Sequence, residues 1–376
     1  MKPLRLALAT LASLTAALAV SATPALAARG HAFCKACTFG APGSGNGQFS
    51  EPAGIAVNES RGGPQSGDVY VVDRGNNRVE WFSATGTFQG QFNGSGLFPN
   101  EVNGKGEPTK APEPLSLTLG NSVAVDNACS LHNPVLTEAT TPTCKEFDPS
   151  NGDVYVTSGA YGTMVVDKFS STGAYIGQIK ETTGASSFAL VDGVAVDPSG
   201  RLWVAETHFH EGQEVHVIDS FTNAEANAFI PPFIGPFEQQ GPALAVDSED
   251  SLYVFDGGTN ETIIISKLSS IGAVLNKELE RESDVAHNGV ASEFPSNDVY
   301  VDNLTTVRRF APDGSEVEAF GEGHLANSCH SQECDGGVAV NSSTGQVYVS
   351  EAPSNVVQVY ELEPPAAPSV VSESLS

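Results

Sequence analysis

Two imidazoles one residue apart, His208 and His210, lie between carboxylates in the run Glu206-Thr207-His208-Phe209-His210-Glu211. Neutral imidazole nitrogens with flanking carboxylate oxygens are the donor set of a zinc or similar transition-metal site. His287 is a third candidate ligand. Left on an exposed loop, the same histidines would do no chemistry. A second cluster is Asp73, Arg74, Asn77 and Arg78. A guanidinium fork beside a carboxylate can recognise a partner, or Asp73 and Arg78 can pair with each other and fix the turn that carries them. Asp256 and Glu351 fall at positions corresponding to Asp73 and Glu206, so the four acids define one candidate binding face.

Other constellations are weaker. Gly40 to Gly47 has the glycine density of a phosphate cradle, but no helix follows to supply N-terminal N–H donors, and a flexible connecting loop is expected. Asp197-Pro198-Ser199-Gly200 and Asp247-Ser248-Glu249-Asp250 resemble calcium loops, yet Asp in a tight turn commonly binds its own backbone. No serine sits in a Gly-x-Ser-x-Gly elbow before a helix. The cofactor expectation is therefore none, or a divalent cation, Ca or Zn.

The six cysteines form three local pairs, Cys34/Cys37, Cys129/Cys144 and Cys329/Cys334. Six cysteines allow 15 pairings. Local disulfides are the expectation, with a zinc site made by Cys34, Cys37, Cys329 and Cys334 as the alternative.

Such groups need elements to hold them. The chain has 376 residues, 18 Lys+Arg against 45 Asp+Glu, a formal net charge of −27, 38 Gly and 23 Pro. This turn-rich, helix-poor composition points to an all-β protein. The acid excess disfavours nucleic acid and anionic lipid, which are bound through Lys and Arg. Residues 1–27 read as a secretory signal peptide, with Lys2 and Arg5, an apolar run from Leu6 to Val20 and the small-x-small site Ala25-Leu26-Ala27. No stretch is long and apolar enough for a membrane span. A secreted or cell-surface, monomeric protein is expected.

One pattern recurs six times: a small-apolar strand, a turn, then a strand centred on an aromatic. The first strands are Gly54 to Asn58, Ser122 to Asp126, Gly193 to Asp197, Ala243 to Asp247, Asp284 to Asn288 and Gly337 to Asn341, each with Ala at its third position. The aromatics are Tyr70, Tyr155, Trp203, Tyr253, Tyr300 and Tyr348. In this alignment His287 replaces the Val of the other copies. The sixth copy ends after its third strand, and Phe33 to Phe39 is an orphan strand at the other end. Pairing the two would close a ring and remove exposed edges. The expected fold is a six-bladed β-propeller of four-stranded blades over 28–362, with a Pro-rich tail or linker over 363–376.

Gly40 to Val57, continuing through Asp68-Val69-Tyr70-Val71-Val72-Asp73-Arg74-Gly75-Asn76-Asn77-Arg78-Val79, resembles an NHL repeat. The resemblance is strongest in the first and last copies and elsewhere covers only the strands. It implies a propeller, and some similar propellers are metal-dependent lyases, peptidyl-hydroxyglycine amidating lyases among them, with channel histidines as ligands. The expectation is a non-catalytic binding module whose partner is an extracellular protein, a peptide or a cell-wall saccharide. The alternative is an extracellular metal-dependent lyase or hydrolase with its site in the central channel.

Overall fold

The computed structural model describes residues 30–60, 63–119, 121–129, 144, 148–180, 187–208, 212–219, 225–229, 244–257, 262–283, 289–326, 329–330, 333–334 and 336–364. The expected leader and most of the expected tail lie outside these residues.

The described secondary structure is almost wholly strand. After β1 (His31–Phe33) come β2 (Pro52–Val57), β3 (Val69–Asp73), β4 (Arg78–Phe82) and β5 (Phe88–Phe92). Next are β6 (Val123–Val125), β7 (Val154–Ser158), β8 (Val165–Phe169) and β9 (Tyr175–Ile179). The third group is β10 (Val191–Val196), β11 (Arg201–His208), β12 (Gly212–Asp219) and β13 (Glu225–Phe229). The fourth is β14 (Leu244–Val246), β15 (Leu252–Gly257), β16 (Thr262–Leu268) and β17 (Val274–Ser283). The fifth is β18 (Gly289–Ser292), β19 (Val299–Asp302), β20 (Val307–Phe310) and β21 (Glu316–Phe320). A short hairpin of β22 (Cys329–His330) and β23 (Glu333–Cys334) precedes β24 (Gly336–Asn341), β25 (Gln346–Glu351) and β26 (Val356–Leu362).

These strands make an all-β propeller of four-stranded antiparallel blades. Five blades are built from consecutive strands, β2 to β5, β6 to β9, β10 to β13, β14 to β17 and β18 to β21. The remaining four-stranded sheet joins the two ends of the chain in the order β1-β26-β25-β24.

The recurring Ala and aromatic are cross-strand partners. Ala56 lies opposite Tyr70, Ala124 opposite Tyr155, Ala195 opposite Trp203, Ala245 opposite Tyr253 and Ala339 opposite Tyr348. Each aromatic packs on the next sheet: Tyr70 with Val123 and Val154, Tyr155 with Val194 and Leu202, Trp203 with Leu244 and Leu252. Tyr253 packs with Val290 and Val299, and Tyr300 with Val338 and Val347. Tyr348 packs in the same way with Ile55 and Val69. A small residue opposite a large one leaves space for the ring, and every ring so buried contributes about 2 kcal/mol. The repeat thus encodes the contact between sheets, and the core is a set of interleaved layers.

Two expectations are corrected. In the fifth copy Tyr300 pairs with Ala291, and the inner strand is β18, not the stretch from Asp284 to Asn288. Residues 284–288, His287 included, lie outside the described residues. The position that His287 was expected to fill belongs to Ser292, whose hydroxyl donates to the Val246 carbonyl at 2.6 Å. The expected orphan strand from Phe33 to Phe39 is also displaced. Pairing with β26 is continuous only over His31–Phe33 and resumes at a single bridge between Phe39 and Val357. The turn between them carries Cys34 and Cys37, joined in a disulfide.

At the end bearing the turns between first and second strands, polar contacts link neighbouring sheets. Glu59 N–H donates to Asn127 Oδ1 at 2.7 Å, and Arg201 Nη2 to Asp250 Oδ2 at 2.7 Å. Ser248 N–H donates to Asn297 Oδ1 at 2.9 Å, Phe294 N–H to Ser342 Oγ at 3.0 Å, and Ser342 Oγ to Glu59 Oε2 at 3.0 Å. Gly54 is required by close approach: a Cβ there would overlap the Asn121 carbonyl oxygen, and its N–H donates to that oxygen at 2.8 Å.

Candidate functional site

The face expected to present ligands lies at the turns between second and third strands. Asp73 closes β3 and is fully buried. Its Oδ1 accepts the Ser50 N–H at 2.7 Å, and its Oδ2 accepts Asn76 Nδ2 at 2.8 Å and Arg78 Nε at 2.8 Å. Burial pushes the Asp73 carboxyl up, against the pull of the Ser50 N–H, Asn76 and Arg78. Besides its Nε bond, Arg78 donates from Nη1 to Ser44 O (3.0 Å) and Gln91 Oε1 (2.6 Å), and from Nη2 to Gly45 O (2.9 Å) and Gln48 O (2.7 Å). All five guanidinium N–H groups are engaged. The Gly-rich run expected to be flexible is wrapped on this side chain. Arg74 reaches Glu51 at 3.1 Å, and exposed Asn77 accepts the Leu117 N–H at 3.0 Å.

Glu206 and Glu351 repeat the device. Both are buried; Glu206 Oε1 accepts the Ala189 N–H, and Glu351 Oε1 accepts the Ala326 N–H at 2.7 Å. Ser50, Ala189 and Ala326 each sit on the segment entering the same sheet as their acid. The acid ending the second strand therefore clamps the incoming loop, a role that spacing alone did not reveal. The side chains of Asp256 and His208 lie outside what is described, as do His210 and His287 altogether, so the expected imidazole cluster is not brought together among the described residues.

The aspartates of the opposite turns hold their own backbone. Asp197 Oδ1 accepts the Ser199 and Arg201 N–H groups at 2.9 Å each, and Oδ2 accepts Arg201 Nε at 2.6 Å and Trp203 Nε1 at 2.8 Å. Asp247 binds the Glu249 and Ser251 N–H groups and sits 3.1 Å from Lys267 Nζ, which lies 5.2 Å above the Tyr253 ring. Lys168 over Tyr155 beside Asp153, and Arg309 over Tyr300 beside Asp298, repeat the pattern. These carboxylates are matched by cations in place, which answers the calcium-loop resemblance.

Cys129 and Cys144 form a second disulfide. Cys329 and Cys334 are direct partners in the β22–β23 register, their side chains lying outside what is described. Among the described residues the one metal-sized grouping is Cys34, Cys37 and Glu361, and both sulfurs there are bonded to each other. These residues do not fit a zinc ion.

A feature that the repeat pattern did not announce is the long segment after β5. Buried Glu101 accepts the N–H groups of Asn93 (2.9 Å), Gly94 and Phe98 (3.0 Å), so the segment is folded about one carboxylate. Residues 101–109 then form a narrow hairpin, with Val102 bridged to Pro108, standing beside the β8–β9 hairpin. Thr109 Oγ1 accepts the Tyr175 N–H at 2.8 Å and ties the two together. A cleft of about 450 Å³ opens between them. Its signal in the sequence is the length of the connection between β5, ending at Phe92, and β6, starting at Val123.

Fold and sites together define a β-propeller scaffold whose buried strand-end acids Asp73, Glu206 and Glu351 hold its incoming loops. No family model matches the chain. A stretch of 72 residues is 39% identical to the brain tumor protein of Drosophila melanogaster, spanning 18% of this chain and 6% of that protein. Similar structures include a gluconolactonase of Xanthomonas campestris, with TM-score 0.55, 12% identity and coverage of 84% of this chain and 87% of that one. The PQQ-bound aldose sugar dehydrogenase of Streptomyces coelicolor has TM-score 0.54 and 12% identity over 89% of this chain and 99% of that one. A Bacteroides thetaiotaomicron protein of unknown function has TM-score 0.51 and 14% identity over 86% and 74%. At these identities the likeness shows the fold alone.

Proposed function

We propose that the chain is an exported NHL-type propeller of six blades, closed by its N-terminal strand, and that it acts as a non-catalytic binding module. The six-blade reading is supported by the sheet β1-β26-β25-β24, by Tyr348 packing on β2 and β3 as the other aromatics pack on their neighbours, and by the contacts of β24 with both β18 and β2. Export is supported by the leader-like first 27 residues and by two disulfides; among the described residues no helix is long and apolar enough to cross a membrane.

The observation that carries the binding role is the cleft beside the inserted hairpin. Its lining is made of hydroxyl, amide, aromatic and aliphatic groups, without a carboxylate, imidazole or thiol. Such a lining offers hydrogen bonds and apolar contact but no carboxylate or imidazole to act as a general acid–base or to activate a hydroxyl as nucleophile. The test is to incubate the purified full chain with extracellular proteins, peptides and cell-wall saccharides and to follow both retention and chemical change. Retention of an unaltered ligand is expected; sustained product formation would overturn the reading.

The sugar-processing enzymes among the similar folds favour one second reading, an extracellular metal-dependent lyase or hydrolase. It predicts a stoichiometric transition metal in the mature protein, lost on replacing His208, His210 or His287.

A further inference from the structure

We infer that the cleft between the 101–109 hairpin and the β8–β9 hairpin is a saccharide site, taking a neutral sugar segment; this rests on the binding-module reading. Three independent observations converge on it. The hairpin is an insertion into the connection from β5 to β6, and insertions into repeats gather on one face, often the binding face. It is rigid, because Glu101 and the Thr109–Tyr175 bond fix it, so little ordering cost opposes a ligand. And its volume, about 450 Å³, falls in the range of small-ligand sites.

The lining selects the ligand class. Thr109 Oγ1 accepts the Tyr175 N–H, and Ser170 Oγ accepts the Ala174 N–H at 3.1 Å. Both oxygens are held by backbone N–H groups; Thr109 keeps its O–H to donate, while Ser170 Oγ lies 3.2 Å from Thr172 Oγ1, so that pair shares one O–H between them and keeps the other for a ligand. Thr172 and Tyr175 add two more hydroxyls at the same cleft. The Tyr175 ring is braced edge-on by Phe169, at 5.7 Å between centroids. Fixed hydroxyls beside a braced aromatic suit a polyol, whose O–H groups both donate and accept and whose C–H faces lie on rings. In a chain of net charge −27 no lining residue is charged, so an ionised ligand would enter without a counter-charge.

The test uses the full chain and an array of neutral oligosaccharides built from glucose, mannose, galactose and N-acetylglucosamine, with uronic-acid oligosaccharides and extended peptides as the other arms. A hit is then titrated calorimetrically against wild type, Tyr175→Ala and Gly104→Trp. Gly104 lines the cleft, and a Cβ there meets no atom within 4 Å, so the Trp variant adds bulk at the cleft with no clash at its Cβ. Retention of a neutral oligosaccharide, weakened about tenfold or more by each variant at unchanged Gly104→Trp unfolding midpoint, is the expected result. Retention of none of them, or equal affinity in Gly104→Trp, overturns the proposal. So does a peptide or uronic-acid ligand displaced by Gly104→Trp. A partner bound equally by wild type and Gly104→Trp would overturn the saccharide site while leaving the binding module standing, whereas product formation would remove both.

Discussion

Glu80 lies 3.2 Å from Arg78 Nη2, with both side chains buried, yet the five N–H groups of Arg78 already have other acceptors. Glu80 Oε1 accepts the Gly47 N–H at 3.2 Å, while Oε2 has no partner. Burial outweighs the attraction of Arg78 and pushes the Glu80 carboxyl up to about 8. The neutral acid is thus the form that the folded chain prefers near pH 7.

The sign of the pH dependence follows. The folded state holds a proton that the unfolded chain releases near 4.5, so this stabilisation is full below about pH 4.5 and is lost as pH rises through about 8. Asp68 and Asp167, each pushed up to about 6 by burial, act in the same direction between about pH 4 and 6. Denaturant midpoints measured from pH 5 to 8.5 should fall, and Glu80→Gln should flatten the upper half of that slope. An unchanged slope in the variant would show that Glu80 is ionised throughout.

Arg78→Ala should leave three loop carbonyls without this donor and deprive the buried Asp73 of its guanidinium partner, costing about 3–5 kcal/mol. Arg78→Lys should recover little, because an ammonium cannot reproduce the fork. Limited proteolysis should find new cleavage within Gly43 to Gln48 in both variants. A loss below about 1 kcal/mol would mean that the loop is held by other contacts.

Gly54→Ala should destabilise by about 3 kcal/mol, since the added methyl runs into the rigid Asn121 backbone. Gly104→Ala, facing open space, should stay within about 0.5 kcal/mol of wild type. The pair, measured by denaturation at equal m-value, separates close approach from a general cost of replacing glycine.

His31 is buried on β1, its Nδ1 2.6 Å from Glu318 Oε1 and its Nε2 2.9 Å from the Gly345 carbonyl, with its ring 4.7 Å from Phe320. His31→Ala should cost about 2–3 kcal/mol by leaving Glu318 and Gly345 short of a donor. A neutral result would place the hold of β1 in its backbone pairing alone.

Removing the Cys129–Cys144 bond, by Cys129→Ser with Cys144→Ser, should cost about 3 kcal/mol, as its ends are 15 residues apart. The Cys34–Cys37 bond spans three residues, and its loss should cost distinctly less. Peptide mapping without reductant checks the pairing, and a scrambled pattern would contradict the local scheme.

Most of the fold was legible because one physical requirement, a ring filling the gap to the next sheet, repeats as Ala opposite Tyr. The fifth copy was misplaced because Asp284-Val285-Ala286 imitates the strand. The separation from Ala to aromatic does not betray the error: it is nine residues for Ala291 to Tyr300 and fourteen from Ala286, but the correctly placed pair Ala56 and Tyr70 is fourteen apart as well. The candidate face was legible as a position but not as a role. Asp73, Glu206 and Glu351 look like exposed turn acids in a sequence, and only the path of the incoming loop shows that their oxygens are occupied.

The pairing of β1 with β26 sets an order of assembly. His31 lies opposite Leu362, so β1 pairs with a strand made only after all five of the other four-stranded sheets. Every other sheet closes on strands that are near in sequence and can form as the chain emerges. This one must wait until β26 has been made, which makes it a slow, long-range step. Until then the groups of β1 that will face β26, and the outer edge of β26 once made, remain unpaired, and the chain is most prone to pair with another copy of itself in that interval.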